Sequence, residues 1–370
     1  MVEVLTVVVT LIAVTLIAMA IYQTICSRSD ARKFPPPGRI VTIAGNGGQE
    51  NRLHVLEMGA GRPAVVLESG ISTTSLNWSL LQPMLASFAT TCSYDRAGLG
   101  WSDSDGGPRT IERIAEGLHS LVRAINLPTP YILVAHSFGG YISRFYASRY
   151  PEEIAGVVLV DPLTPEEWSL PTKAQRKTLR MASRYARLGG VLATVGIARI
   201  CFGFLQRAPK ESSGRVVSRF GAGVTQIARR IAAELGKLPP QVQRLVQMQW
   251  SCPKPFWSMS KYVRALPSCA REVANCEVPE NIPVTVISGN HQPPDRLSEH
   301  GAIAKHSLNG NHIIAEKSGH WIQFDEPELI LNAVRHIGML HEMVAVENPQ
   351  PRPLQGQSNV RQHQSGSHGS

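Results

Sequence analysis

The hydrophobic pattern begins with an unbroken apolar run: Leu5 to Ile25 spans 21 positions without a charged residue. A helix needs about 20 such residues to cross hydrocarbon, whereas the apolar core of a signal peptide runs to about 7 to 15. The run therefore predicts a single membrane anchor, with a cleaved signal peptide and a buried core helix as the alternatives. Arg28, Arg32, Lys33 and Arg39 follow it against Asp30, and Glu3 precedes it. Excess positive charge stays in the cytoplasm, which favours a cytoplasmic domain after the anchor. The stretch Phe34 to Arg39, FPPPGR, reads as a stiff linker.

Beyond the linker the period changes. Two alternating runs, 40–44 and 52–57, flank the turn residues GNGG and predict an antiparallel hairpin. Short apolar runs at 64–70, 91–95, 131–135, 156–162, 282–289 and 312–316 then alternate with helical spacing at 80–88, from Thr110, after Phe138, and from Pro327 to Leu340. Such alternation predicts an α/β fold, a mostly parallel sheet with helices on both faces. A helical interval interrupts it. The expected organisation is an anchor and flank at 1–33, a core at 34–162 and 283–346, a helical cap at 163–282, and a disordered Pro-, Gln- and Ser-rich tail at 347–370.

Of the 370 residues, 43% are hydrophobic and 18% charged, ample for a large core. Residues 163–282 hold 19 Lys and Arg against 7 Asp and Glu in a chain of formal charge +9, so the basic surplus belongs to the cap. It suits either a solvated lid or a face for an anionic surface. No aromatic stacking platform or reading module interleaves the charges, so no nucleic-acid partner is expected. Within the cap, Leu188 to Arg207 is apolar with basic punctuation, suited to the inner wall of a lid or to a bilayer surface. The six cysteines, Cys26, Cys92, Cys201, Cys252, Cys269 and Cys276, lack CxxC or Cys/His spacing. Neither a zinc site nor a disulfide framework is indicated, although Cys269 and Cys276 could pair after export. With no phosphate-binding loop either, no metal or cofactor is expected.

One period switch carries chemistry. Tyr131 to Ala135 reads as a buried strand, and helical spacing starts at Phe138, so Ser137 sits on a corner without an intervening loop. Ala135 and Gly139, two positions to either side, are small enough for such a corner. The alternative is a helix N-cap serine. His136, next in the strand, is expected to point to the opposite face.

The quoted motifs LESGIS (67–72), YDRAGLGWSD (94–103), AHSFGG (135–140), VLVDP (158–162) and SGHWIQFDEPELI (318–330) together resemble the α/β-hydrolase superfamily from about Ile40 to Leu340. That resemblance implies a site beyond the carboxyl ends of the parallel strands, with Ser137 as nucleophile and His320, after the last strand, as its base. Most relatives place the acid after the strand VTVISG, where Asp295 lies six positions beyond Gly289 behind two prolines. Others place it where Asp161 ends the preceding strand. Asp161 is favoured and Asp295 kept as the alternative. The oxyanion donors implied are the backbone N–H groups of Phe138 and Ile71, although relatives usually carry His-Gly where this chain has Glu68-Ser69-Gly70. The implied function is a membrane-anchored serine hydrolase that cleaves small-molecule or lipid esters through an acyl-enzyme. A cofactor-free peroxidase, a carbon–carbon bond hydrolase, or a silent domain that binds a ligand at the bilayer are the alternatives.

Overall fold

The alternating runs close into one eight-stranded sheet in the computed structural model, which describes residues 1–45, 50–207 and 234–347. The strands are β1 (Arg39–Ala44), β2 (Glu50–Met58), β3 (Ala64–Glu68), β4 (Thr91–Tyr94), β5 (Tyr131–His136), β6 (Ile154–Val160), β7 (Val284–Gly289) and β8 (Asn311–Ala315). Their order across the sheet is β1-β2-β4-β3-β5-β6-β7-β8. The pairs β1–β2 and β2–β4 are antiparallel and all others parallel. The helices are α1 (Val2–Lys33), α2 (Leu81–Leu85), α3 (Ile111–Ala124), α4 (Gly139–Arg149), α5 (Pro165–Trp168), α6 (Lys173–Thr194), α7 (Ile197–Arg207), α8 (Pro240–Trp250), α9 (Pro253–Val273), α10 (Pro294–His306), α11 (Ile322–Asp325) and α12 (Pro327–Glu347).

The continuous apolar run of β5 follows from burial on both faces. Tyr131, Leu133 and Ala135 join a core with α3, α4 and α9, while Ile132 and Val134 join a second core with α2 and α12. Residues two apart share a face of the pleat, so one run supplies both layers. On α3, Thr110 caps the first turn by accepting from the Arg113 N–H at 3.3 Å. Its buried Ile111, Ala115, Leu118, Leu121 and Val122 recur at helical spacing and face the first core.

Two expectations change. The 80–88 helix shortens to α2, with Pro83 confined to its first turn. The two prolines before Asp295 start α10: Pro293 is its N-cap, Pro294 opens the helix, where a missing N–H costs nothing, and Asp295 lies in its first turn. The cap is also less separate than a lid, because Tyr262, Leu266, Cys269, Ala270 and Val273 of α9 are part of the first core. All six cysteines are free, Cys269 and Cys276 included. Residues 46–48 of the GNGG turn and 348–370 of the tail lie outside the described residues.

The N-terminal apolar helix does not stop at Ile25 but continues to Lys33, and its last turns pack on the cap. Gln23, buried there, donates to the Ser251 carbonyl at 2.8 Å and accepts from Arg199 Nε at 2.8 Å. Arg199 also pairs with Asp30 at 2.5 Å. Among the described residues α1 is the one single helix long and apolar enough to cross a membrane, a test that a signal sequence also passes.

Leu133 is fully buried in the central strand. Leu133→Ala is expected to destabilise the full chain in detergent by about 2 to 5 kcal/mol, the cost of lost transfer energy plus a cavity. Denaturant midpoints of the two proteins measure it, and an unchanged midpoint would remove β5 from the core.

Candidate active site

The carboxyl ends of β3, β5 and β6 align at one edge of the sheet, with Glu68 opposite Ala135 and His136 opposite Val160. Beyond β5 the backbone turns within two residues. Ser137 has φ +54°, a left-handed conformation that costs a non-glycine residue about 1 to 3 kcal/mol. Its N–H bonds the Val160 carbonyl at 3.0 Å, and its own carbonyl accepts from Gly140 and Leu163 at 3.0 and 3.2 Å. The following helix presses on the loop after β3. A Cβ at Gly139 would lie 2.6 Å from the Glu68 carbonyl oxygen, which is why a larger residue does not fit.

Ser137 and His320 line one cavity of about 320 Å³. Its walls are mostly apolar, from Leu76, Leu238, Val246, Trp250, Trp321 and Phe324. The loop Gly70-Ile71 forms part of the same wall, and a Cβ at Gly70 would lie 3.5 Å from that of Ser137. Among the described residues, the N–H groups of Ile71 and Phe138 have no acceptor. Phe138 N-caps α4, where the helix dipole favours negative charge. Asn77 Nδ2 and Gln249 Nε2, both buried on this cavity, also have no partner, and Thr74 donating to Gln249 Oε1 at 3.4 Å orients that amide.

His320 Nδ1 donates to Asp161 Oδ2 at 2.6 Å. Asp161 is fully buried just beyond β6, at φ +43°, and its Oδ1 accepts from the Gly289 N–H and from Gln292, each at 2.9 Å. Burial by itself would raise its pKa, but the His320 hydrogen bond, the backbone donor and Gln292 together hold the carboxyl down to about 2. The structure brings Asp161 to His320. Asp295 is exposed on α10 and contacts neither Ser137 nor His320.

His291 Nε2 lies 3.9 Å from the same Asp161 oxygen, so Asp161, His291 and His320 offer ligand atoms all within 4.8 Å of one another. A cation there would need the Nδ1 lone pair of His320 and would displace the hydrogen bond that orients it. No spacing rule finds this trio, because its members come from three loops.

His136 is a correction. It does not point away from Ser137 but lines the same cavity, because the left-handed turn at Ser137 ends the strand alternation. Its Nε2–H donates to the His320 carbonyl at 2.8 Å, and its ring lies 4.6 Å from the ring of His320. Burial, aided by the neighbouring His320, lowers its pKa to about 3, so it stays neutral.

Arg96, inside a motif the sequence singled out, was given no role. Buried, it pairs with Glu68 at 2.7 Å and donates to the carbonyls of Ser69 at 2.8 Å and of Gly70. Its guanidinium also lies 5.5 Å from the Phe138 ring and 5.2 Å from Tyr262. A charged residue in an apolar surrounding needs a partner, and Glu68 in LESGIS was the available signal.

This sheet, with a serine on a left-handed corner after its central strand and a histidine–aspartate pair at the same edge, defines the α/β-hydrolase class. The alpha/beta hydrolase family model matches residues 65–333, more than half of the chain, and the chain belongs to that family. An AB hydrolase superfamily protein of Gibberella zeae is 24% identical over 307 residues, covering 75% of this chain and 86% of its own. An uncharacterized Bacillus subtilis protein is 34% identical over 104 residues, which span 28% of this chain and 41% of that protein. Among solved structures, a thermophilic esterase from Thermogutta terrifontis superposes with a TM-score of 0.55 at 19% identity, over 82% of this chain and 99% of its own. A hydrolase from Pseudomonas aeruginosa gives 0.55 at 20% identity, over 81% and 98%. Both likenesses are of fold.

Burial also lowers the pKa of His300, to about 4, and that of His312. The unfolded chain takes up protons on His136 and His300 below about pH 6.5, while the folded chain resists until about pH 4 at His300 and lower at His136; His312 acts in the same direction. Stability is therefore expected to fall as pH drops through that window. Asp161 acts lower, contributing stability above about pH 4 that is lost towards pH 2. Thermal midpoints between pH 7 and pH 4 check this: His300→Gln should flatten the decline, and a wild-type midpoint constant over the range would contradict it.

Proposed function

We propose that the protein is a membrane-anchored serine hydrolase that cleaves carboxylic esters, lipid-derived ones among them, through an acyl-enzyme. The observation that carries the reading is the His320–Asp161 hydrogen bond at the edge of an apolar cavity that also holds Ser137. With Nδ1–H donated to Asp161, the lone pair of His320 lies on Nε2, the atom that serves as base.

In this reading Ser137 Oγ attacks the ester carbonyl carbon and its proton passes to His320 Nε2. The carbonyl oxygen gains negative charge and takes hydrogen bonds from the N–H groups of Phe138 and Ile71, which are otherwise without acceptors. The C–O bond then breaks, and the leaving alcohol takes the proton from His320. Water repeats the sequence in reverse, with His320 again as base, to release the acid and restore Ser137. Asp161 stays ionised throughout and stabilises the imidazolium. The apolar wall takes the acyl chain, and a volume near 320 Å³ is at the small end of ligand sites. The unpartnered amide nitrogens of Asn77 and Gln249 would favour an ester that carries a second acceptor.

α1 serves as the anchor in this reading, since its apolar side chains are exposed along most of its length.

Fluorophosphonate labelling is the direct test, because it reports an activated serine whatever the natural substrate. Ser137→Ala and His320→Ala are each expected to abolish labelling and ester hydrolysis in a folded protein. Asp161→Asn should lower kcat by about 10³ to 10⁴, and Asp295→Asn should leave it near wild type. Undiminished labelling of Ser137→Ala would place the nucleophile elsewhere, and a severe Asp295→Asn with a mild Asp161→Asn would exchange the two acids.

A further inference from the structure

The cap carries a feature the ester chemistry does not use. Between α6, α9 and the loop Gly106–Pro108 lies an open pocket of about 530 Å³ bounded by Arg109, Arg187, Lys261, Arg264 and Trp257. No carboxylate lines it. Among the described residues Arg187, Lys261 and Arg264 make no ion pair. Arg109, buried at the back, is already engaged on the core side: its Nη1 pairs with Asp105 at 2.6 Å and its guanidinium lies 5.4 Å from the Tyr262 ring. Asp105 is itself saturated by Arg109 and Arg113. Four cations around one pocket repel each other and favour an anion between them.

A second observation says where that anion would come from. Met181, Tyr185, Leu188 and Val191 are exposed large apolar residues at one-turn spacing on α6, with Ile200 exposed on α7. Arg180, Arg184 and Arg187 alternate with them, the pattern of a helix lying in a membrane interface. The anchor fixes the depth. Gly196, in the turn where the axis bends by 92° between α6 and α7, takes φ +77°, and a Cβ there would lie 3.4 Å from Gln23 Cβ and 3.8 Å from the Met19 carbonyl. Met19 and Gln23 fall within the apolar run of α1, and Gln23, Ser27 and Asp30 clamp Arg199. If α1 spans the bilayer, this turn lies at its surface. Arg187 is nine residues back along α6, about 14 Å by helix rise, and Trp257 beside it is 39% exposed, as side chains at the headgroup level are.

We propose that this pocket is a binding site for the phosphate of an anionic lipid headgroup in the leaflet that holds α1, and that it seats the cap on the bilayer. The proposal rests on the anchor part of the reading above and not on the ester chemistry. Arg187, Lys261 and Arg264 supply the charge, and the α6 stripe the apolar contact with acyl chains.

The test uses the full chain in neutral detergent and calorimetric titration with dihexanoyl phosphatidylglycerol, dihexanoyl phosphatidylcholine and inorganic phosphate. The anionic lipid is expected to bind far more tightly than either of the others. The exposed triple variant Arg187→Gln, Lys261→Gln, Arg264→Gln should weaken it by about a hundredfold, given roughly tenfold or less per cation at an anionic surface. The variant Lys173→Gln, Arg176→Gln, Lys177→Gln removes the same charge from the exposed start of α6 and should bind like wild type. Equal losses in the two variants would mean diffuse attraction and overturn the site. Binding unchanged in the pocket variant would overturn it also, and phosphate binding as tightly as the lipid would make this a site for a soluble anion. Release of the chain from membranes by alkaline carbonate would remove the anchor and with it the lipid source. Wild-type fluorophosphonate labelling of the pocket variant is the expected sign that its fold and the ester site are intact, so either reading can fail without the other.

Discussion

A single buried guanidinium ties the fold to the candidate site. Arg96 holds the Glu68 carboxylate in the sheet, the Ser69 and Gly70 carbonyls in the loop after β3, and the ring faces of Phe138 and Tyr262. Burial pushes the Glu68 carboxyl up, and Arg96 beside it opposes that shift. Breaking a buried pair of this kind costs about 3 to 5 kcal/mol, because the remaining charge has no water to compensate it. Arg96 thus holds the loop whose Gly70 and Ile71 line the cavity. Through Tyr262 it also joins the cap helix α9 to the same arrangement.

Strain and burial meet at the same edge of the sheet. Ser137 and Asp161, each the first residue beyond its strand, both have positive φ without being glycine. Such conformations persist only where surrounding contacts over-determine them. For Ser137 these are the backbone bonds to Val160, Gly140 and Leu163, and for Asp161 the bonds from Gly289, Gln292 and His320. The neutral His136 holds the backbone of His320 from the other side. The imidazole is thus fixed by its ring nitrogen and by its own carbonyl.

The cap and the N-terminal helix α1 are joined by side-chain contacts. Arg199 reaches back to three residues of α1, which ties the cap to that helix. A helix that carries exposed apolar side chains, and arginines without an ion pair among the described residues, then lies beside α1. Residues of α9 are buried in the first core, and Val242 of α8 packs with Leu76 and Leu238 in a separate small cluster.

The order of strands and helices along the chain and the corner at Ser137 were legible in the residues, because period and small flanking side chains are local properties; the preference for Asp161 over Asp295 rested on a family resemblance and on loop length. Local reading sent His136 to the wrong face, because alternation ends where the backbone turns left-handed. The tertiary structure decided what depends on residues far apart: that Arg96 meets Glu68, that His291 and Gln292 join Asp161, that α1 docks on Arg199, and that four cations surround one pocket. Side-chain period records which face of an element is buried. It carries no record of which distant group shares that face, and charge pairing and cavity shape depend on that.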